Sequence, residues 1–138
     1  MSPLESEQPK EPGITRLYTP EEKARKVKRE IKRLRKLLAD IPADKLKAAD
    51  GLIQEAAFMR LTLDETRHII DREGVLENFE QGSQRFIREH PATKVYGTLI
   101  NRYTVVCKSL ADLIPGKPSP KDGDPLAAFL QGGTQPKP

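Results

Sequence analysis

The sequence has no tryptophan and few other aromatic residues. Phe and Tyr together make up 5% of the 138 residues, whereas 32% of the residues are charged. A composition this rich in charge and poor in aromatics is typical of long, solvated helices and not of a compact β-sandwich or barrel. We therefore expect an all-α protein, with the length of one ordinary domain.

Cysteine and histidine are also scarce. The single cysteine, Cys107, excludes an intrachain disulfide and argues against a cysteine-based metal site. Cys107 adjoins the apolar face of a predicted helix, which favours buried packing over a reactive thiol. The only histidines, His68 and His90, lack the spacing of a metal site, so each is expected to be solvated or to cap a helix. We expect no metal and no cofactor.

Long apolar runs and catalytic motifs are absent as well. No run approaches the roughly 20 apolar residues of a membrane span, and the acidic, proline-containing N-terminus does not resemble a signal peptide. The sequence contains no phosphate-binding loop, paired-cysteine motif, His-Glu-x-x-His or Gly-x-Ser-x-Gly. A helical enzyme using His68 or His90 would need a cluster of carboxylates converging on one of them. We expect a soluble, cytoplasmic protein that is not an enzyme.

Composition divides the chain into three parts. Residues 1–17 and 115–138 are mostly poor in large apolar groups and rich in Pro, Gly, Ser and charge. These segments are predicted to be a disordered N-terminal arm and a flexible C-terminal tail. Residues 18–114 between them are predicted to form a helical domain.

Two long helices are predicted first, joined by a short link at Pro42. Thr19 and Pro20 mark the start of the first helix, and Asp44 and Gly74 mark the start and end of the second. Both have apolar seams at spacings of three and four, which favour an antiparallel helical hairpin. The seam of the first helix consists of Ala24, Val27, Ile31, Leu34, Leu38 and Ile41; that of the second consists of Leu52, Ala56, Met59, Leu63, Thr66 and Ile70.

A third helix is predicted to begin at His90-Pro91 and to end before Pro115-Gly116. Between the second and third helices, the segment from Val75 to Ile87 contains Gly82-Ser83, which indicates a short β-hairpin or an ordered loop. The two seams can pack on each other within one chain. Because one hairpin and one further helix make a thin core, we expect coiled-coil contacts between subunits as well.

The first predicted helix carries an excess of basic residues. Its basic residues are Lys23, Arg25, Lys26, Lys28, Arg29, Lys32, Arg33, Arg35 and Lys36, against the acids Glu21, Glu22, Glu30 and Asp40. Five of the basic residues lie off the seam and are candidate contacts to DNA phosphates: Lys28, Arg29, Lys32, Arg33 and Lys36. The alternative is a solvated helix surface with intrahelical ion pairs, such as Lys26 with Glu30.

The tail contains a small apolar segment with helix signals. Asp124 and Pro125 suit a cap and a first turn, and Leu126, Phe129 and Leu130 then fall on one face. These three residues are candidates for binding a partner through a short helix that forms on contact. Alone in water so short a helix is unstable, so disorder is expected in the free protein. The alternative is an unimportant frayed end.

The region from Ala48 to Ile114 combines a long helix, a glycine-ended turn, a short polar insert and a helix opened by His-Pro. Three segments stand out, namely Arg67–Gly74, Arg88–Lys94 and Ser109–Ile114, of which Arg88-Glu89-His90-Pro91-Ala92 is the most characteristic. In the order and spacing of these segments the region resembles the small terminase subunit family of tailed bacteriophages. Some members also have an N-terminal helix-turn-helix, which has no recognisable counterpart here, so the resemblance does not extend to sequence-specific recognition.

The resemblance implies a role in viral DNA packaging. Members of the family assemble into homo-oligomeric rings, bind viral double-stranded DNA near the start of packaging and pass it to the large terminase subunit, which holds the ATPase and nuclease. The implied location is the cytoplasm of the host cell. An alternative from another class is a coiled-coil scaffold or interaction protein without nucleic-acid function, in which the basic helix is merely solvated.

Overall fold

The computed structural model describes residues 15–115 and 125–130. The chain is mostly helical, with one two-stranded antiparallel sheet. The elements are α1 (Pro20–Leu37), α2 (Ala43–Ala48), α3 (Asp50–Glu73), β1 (Leu76–Gln81), β2 (Gln84–Glu89), α4 (Pro91–Ala111) and α5 (Pro125–Leu130). Among the described residues, no helix is both long enough and apolar enough to cross a membrane. The predicted arm and the remainder of the tail lie largely outside these residues.

Helix α1 begins where the sequence predicts. Thr19 is the N-cap, and its hydroxyl accepts a hydrogen bond from the backbone N–H of Glu22 at 3.1 Å. The Glu22 carboxylate in turn accepts from the Thr19 backbone N–H at 2.9 Å, which completes a capping box. The two bonds satisfy backbone donors that have no partner within the first turn.

Helices α1 and α3 form the predicted antiparallel hairpin. Near the start of α1, Lys23 pairs with Glu65 late in α3 at 2.7 Å, and near its end Arg35 pairs with Asp50 at the start of α3 at 2.6 Å. The apolar seams of both helices contribute to one buried core. Its members are Leu34, Leu38, Ile41, Ala49, Ile53, Ala56, Ala57, Met59, Leu63, Tyr103, Cys107, Leu110 and Phe129.

The predicted second helix is not continuous from Asp44. The structure divides it into α2 and α3 at Ala49, which has φ −89° and ψ 0° and is buried. Leu46, on α2, and Ile53, on α3, both pack against the core, as residues seven apart would in a continuous helix. The structure therefore has two helices where the local sequence predicts one.

Helix α4 returns antiparallel to α3. The guanidinium of Arg60, in the middle of α3, lies 5.2 Å from the ring centre of Tyr103 in α4. At the other end, Glu73 near the end of α3 contacts His90 before α4 at 2.7 Å. Helix α3 thus packs against α1 on one side and α4 on another.

The segment between α3 and α4 is a β-hairpin, as one of the two sequence-based alternatives predicts. Gly82 and Ser83 form the two-residue turn, and the φ of +63° at Gly82 suits glycine. The Phe79 and Phe86 rings pair across the strands with 5.0 Å between their centres. Because both strands are largely exposed, such cross-strand pairs are what stabilise the hairpin.

Helix α5 packs against the rest of the same chain. Phe129 is fully buried, and Leu130 is partly buried against the core. The expected disorder of this segment in the free chain is therefore wrong for residues 125–130. A six-residue helix is unstable alone, but here burial of the Phe129 ring supplies the stabilisation that the isolated segment lacks.

Candidate nucleic-acid interface and tail-docking site

The outer face of α1 presents a stripe of exposed basic side chains. Lys28, Lys32 and Lys36 follow one another at spacings of four, and Arg29 lies beside them. Spacings of three and four bring residues to one face of a helix, opposite the buried Leu34 and Leu38. Four of the five residues predicted to contact DNA therefore lie together and face solvent. We call these four residues the basic stripe.

The fifth predicted residue, Arg33, lies apart from the basic stripe. It is partly buried, and its Nε and Nη2 atoms donate to the two carboxylate oxygens of Glu30 at 2.9 and 2.7 Å. Its Nη1 atom donates to the backbone oxygen of Ala128 in α5 at 3.3 Å. Arg33 is thus turned toward the tail helix and holds a buried carboxylate.

Two details of α1 differ from what the sequence indicates. Glu30 pairs with Arg33 and not with Lys26, whose ammonium group instead lies 5.4 Å from the centre of the Tyr18 ring. Arg25 is not among the DNA contacts predicted from the sequence, yet it is exposed and lies three residues before Lys28. Its spacing from the stripe is the signal that could have identified it.

A cleft of about 300 Å³ opens between α1 and α3. Its lining carries four cations and two carboxylates, in addition to Tyr18 and Leu61. The charged residues are Lys26, Arg29, Glu30 and Arg33 from α1, and Arg60 and Asp64 from α3. Glu30 pairs with Arg33, and Asp64 pairs with Arg60 at 3.0 Å. Within residues 15–115 and 125–130, Lys26 and Arg29 form no ion pair, so the lining carries an excess of positive charge.

Three helices hold the C-terminal end of α5 by its backbone. Arg33 from α1 donates to the carbonyl of Ala128, and Arg60 from α3 donates to that of Leu130, each at 3.3 Å. The hydroxyl of Tyr103 from α4 donates to the carbonyl of Phe129 at 2.8 Å. The last carbonyls of a helix have no partner within it and favour nearby cations, so these donors form a matching receptor. We call Arg33, Arg60 and Tyr103 the tail receptor.

The predicted partner-binding residues have different positions in this arrangement. The Phe129 ring is buried beside the tail receptor, and Leu130 is partly buried. The side chain of Leu126 lies outside the described residues. In the free chain, the segment predicted to bind a partner is thus already bound to its own chain through Phe129.

Cys107 lies under the same region, fully buried in the core. Burial raises the pKa of its thiol to about 11, although the Tyr103 hydroxyl and the Arg60 charge act in the opposite direction. Burial likewise raises the pKa of the Tyr103 phenol. At neutral pH both groups are protonated, so Tyr103 can donate to α5 and Cys107 packs as an apolar side chain.

The histidines do not converge. His90 is the N-cap of α4: its Nδ1 accepts from the backbone N–H of Ala92 at 3.0 Å, and its Nε2 faces Glu73. His68 is partly buried within α3. In the described part of the chain, no group of three or more His, Cys, Asp or Glu side chains is placed to hold a metal ion.

Comparisons with protein-family models, curated proteins and solved structures gave no match to this chain.

Proposed function

We propose that the chain is a viral DNA-packaging adaptor, the small terminase subunit of a tailed bacteriophage. It binds double-stranded DNA, recruits the large terminase subunit and performs no covalent chemistry itself. The observation that carries the proposal is the basic stripe, in which Lys28, Arg29, Lys32 and Lys36 all face solvent. It extends about 12 Å along α1, a length over which several phosphates of a duplex can be contacted.

The segments that resemble the family support the proposal through their position. Arg67–Gly74 forms the end of α3, and Arg88–Lys94 joins the hairpin to α4. The contact between His90 and Glu73 ties these two segments together at 2.7 Å. These two of the three matching segments therefore form one connected structural unit, which positions the hairpin between two long helices.

Binding through the basic stripe involves phosphates and not base edges. Lysine and arginine side chains on an exposed helix face neutralise phosphate charge and release counterions, which makes the affinity depend strongly on salt. Each phosphate contact contributes a slope of about 0.9 to the dependence of log affinity on log salt concentration. Four contacts would give a slope of about 3.6.

A salt titration of duplex binding tests the proposal. Changing Lys28, Arg29, Lys32 and Lys36 together to Gln should weaken binding and remove most of the slope. The matched control changes four exposed basic residues elsewhere to Gln, namely Lys45, Lys47, Arg72 and Lys94. Because the control removes the same charge, a loss of DNA affinity that is specific to the stripe would exceed the loss in the control. Equal losses in both variants would show that the stripe is not the DNA surface.

The proposal includes a homo-oligomeric ring in the host-cell cytoplasm. An exposed apolar surface along α3 and α4 supports contacts between subunits. Leu52, Phe58, Val95 and Val105 are between 39% and 64% exposed and line two neighbouring grooves that share Leu99. Contiguous apolar patches of this kind mark interaction surfaces.

The same surface favours a second candidate function, a scaffold or interaction protein without nucleic-acid binding. Such a protein would associate through the grooves of α3 and α4 while α1 remained merely solvated. It would show no salt-dependent binding to duplex DNA. The titration above therefore separates the two functions.

A further inference from the structure

Two arginines contribute both to the cleft and to the tail receptor. Arg33 and Arg60 line the cleft between α1 and α3. Each also donates a hydrogen bond from its Nη1 atom to a backbone carbonyl of α5. Each guanidinium is oriented by a carboxylate of its own helix, Glu30 or Asp64. The cleft and the docked tail thus depend on the same pair of side chains.

The cleft has the chemistry of an oxyanion site. Lys26 and Arg29 add positive charge that no carboxylate pairs with among the described residues. Tyr18 adds a hydroxyl group that is protonated at neutral pH, since burial and the nearby Asp64 and Glu65 raise its pKa. Cations together with a hydroxyl donor suit the oxygens of a phosphate group, and a cleft of about 300 Å³ has room for one.

The bonds from the two arginines to the tail are long. Both measure 3.3 Å, and their acceptors are neutral carbonyls. A charged phosphate oxygen is a stronger acceptor for guanidinium than a carbonyl, and arginine can bind it through two parallel bonds. A phosphate in the cleft would draw the Nη1 atoms of Arg33 and Arg60 away from the carbonyls of Ala128 and Leu130.

We propose that this cleft binds a phosphate group and that phosphate binding and tail docking oppose each other. The phosphate is either free orthophosphate or part of the DNA backbone. In the second case the inference rests on the proposed function, because DNA binding would then release α5 for contact with a partner. The two sites are coupled through Arg33 and Arg60.

Phosphate and the docked tail oppose each other through the same two arginines, so a variant whose tail docks less tightly should bind phosphate at a correspondingly lower concentration, as long as most of the chain still has its tail docked. Tyr103 offers a way to weaken docking, because its hydroxyl holds Phe129 but does not line the cleft. Tyr103→Phe removes one hydrogen bond to α5 and should weaken docking about fivefold. The phosphate concentration needed to release the tail should fall by about the same factor.

Hydrogen exchange of the α5 backbone amides, measured in the full-length chain, reports tail docking. Orthophosphate is titrated at constant ionic strength against chloride. Exchange should rise and saturate, and Tyr103→Phe should reach half-saturation at about fivefold lower phosphate. Changing Lys26 and Arg29 together to Gln should raise the phosphate concentration at half-saturation. The tail of this variant should remain docked in the absence of phosphate. The matched control, Lys45 and Lys47 to Gln, should have no effect.

A second titration, with a short DNA duplex, identifies the source of the phosphate. Release by orthophosphate alone assigns the cleft to a free anion, whereas release by both ligands assigns it to the DNA backbone as well. If the duplex does not bind at all while orthophosphate still releases α5, the proposed function fails and the cleft site stands. If neither ligand changes the exchange of α5, or if Tyr103→Phe leaves the phosphate midpoint unchanged, the inference is overturned.

Discussion

His90 shows how one residue can connect two helices and the start of the hairpin segment between them. Its Nδ1 caps the first turn of α4, its Nε2 contacts Glu73 at the end of α3, and its backbone N–H donates to the Val75 carbonyl at 2.8 Å. Since Nδ1 accepts a hydrogen bond, the proton of the neutral ring lies on Nε2, where it can be donated to the Glu73 carboxylate. His90, which lies within the most characteristic segment of the family resemblance, thus acts as a structural joint.

Two substitutions of His90 distinguish the contribution of the helix cap to stability from that of the interhelical contact. His90→Ala removes both and should lower the free energy of unfolding by about 1 kcal/mol or more. His90→Asn keeps an acceptor for the Ala92 N–H and should recover the capping part. Urea unfolding of the three proteins measures the difference. If Asn stabilises no better than Ala, the cap contributes nothing measurable.

The raised pKa of the Cys107 thiol leads to a prediction about the stability of the protein at high pH. Its folded pKa of about 11 lies above the ordinary value of 9.0. Above pH 9 the unfolded chain therefore binds fewer protons than the folded chain, and stability falls as the pH rises toward 11. Tyr103 acts in the same direction because burial also raises its pKa.

The measurement is urea unfolding between pH 8 and pH 11. Cys107→Ala should make the loss of stability with pH shallower without abolishing it, since Tyr103 still titrates. The thiol should also resist a thiol-specific reagent at pH 8 until the chain unfolds. Rapid labelling of the folded protein would contradict a buried Cys107.

At the scale of elements, local signals predicted the ends of helices better than their continuity. Thr19 and His90 are caps with prolines behind them, and Gly82-Ser83 is a turn, so short-range chemistry determines these positions. No comparable signal marks Ala49, where the structure separates α2 from α3. The helical tendency of residues 125–130 could be predicted, but the docking of α5 depends on three distant helices.

Alanine substitutions at two glycines test the backbone conformations that the structure gives to these positions. Gly97 lies inside α4, is exposed, and a Cβ added there would meet no atom within 4 Å. Gly97→Ala should therefore raise the free energy of unfolding by about 1 kcal/mol. Gly74 has a φ of +85°, so Gly74→Ala should lower it by at least about 1 kcal/mol. Thermal or urea unfolding gives both values, and a change of the same sign in both variants would contradict the assigned conformations.

At the scale of the whole molecule, the position of the basic stripe could be predicted from the sequence, whereas the exclusion of Arg33 from it could not. Spacings of three and four place Lys28, Lys32 and Lys36 on the face opposite the seam, which depends only on helix geometry. Arg33 has nearly the same local context, but its orientation depends on the buried Glu30 and on Ala128 of α5, which is 95 residues away from it in sequence. Long-range contacts of this kind leave no periodic signal in the sequence.

The exposed apolar surface leads to a prediction about assembly. Val105 is 64% exposed and lines a groove with Phe58, so a second copy that covers the groove would remove both from water. Val105→Asp should place an unpaired charge in that contact and shift the mass measured by light scattering toward the monomer. Val75→Asp is the matched control, because Val75 is 51% exposed and does not line this groove. A monomeric mass for the unaltered protein at micromolar concentration would exclude assembly, and equal effects of the two variants would place the contact elsewhere.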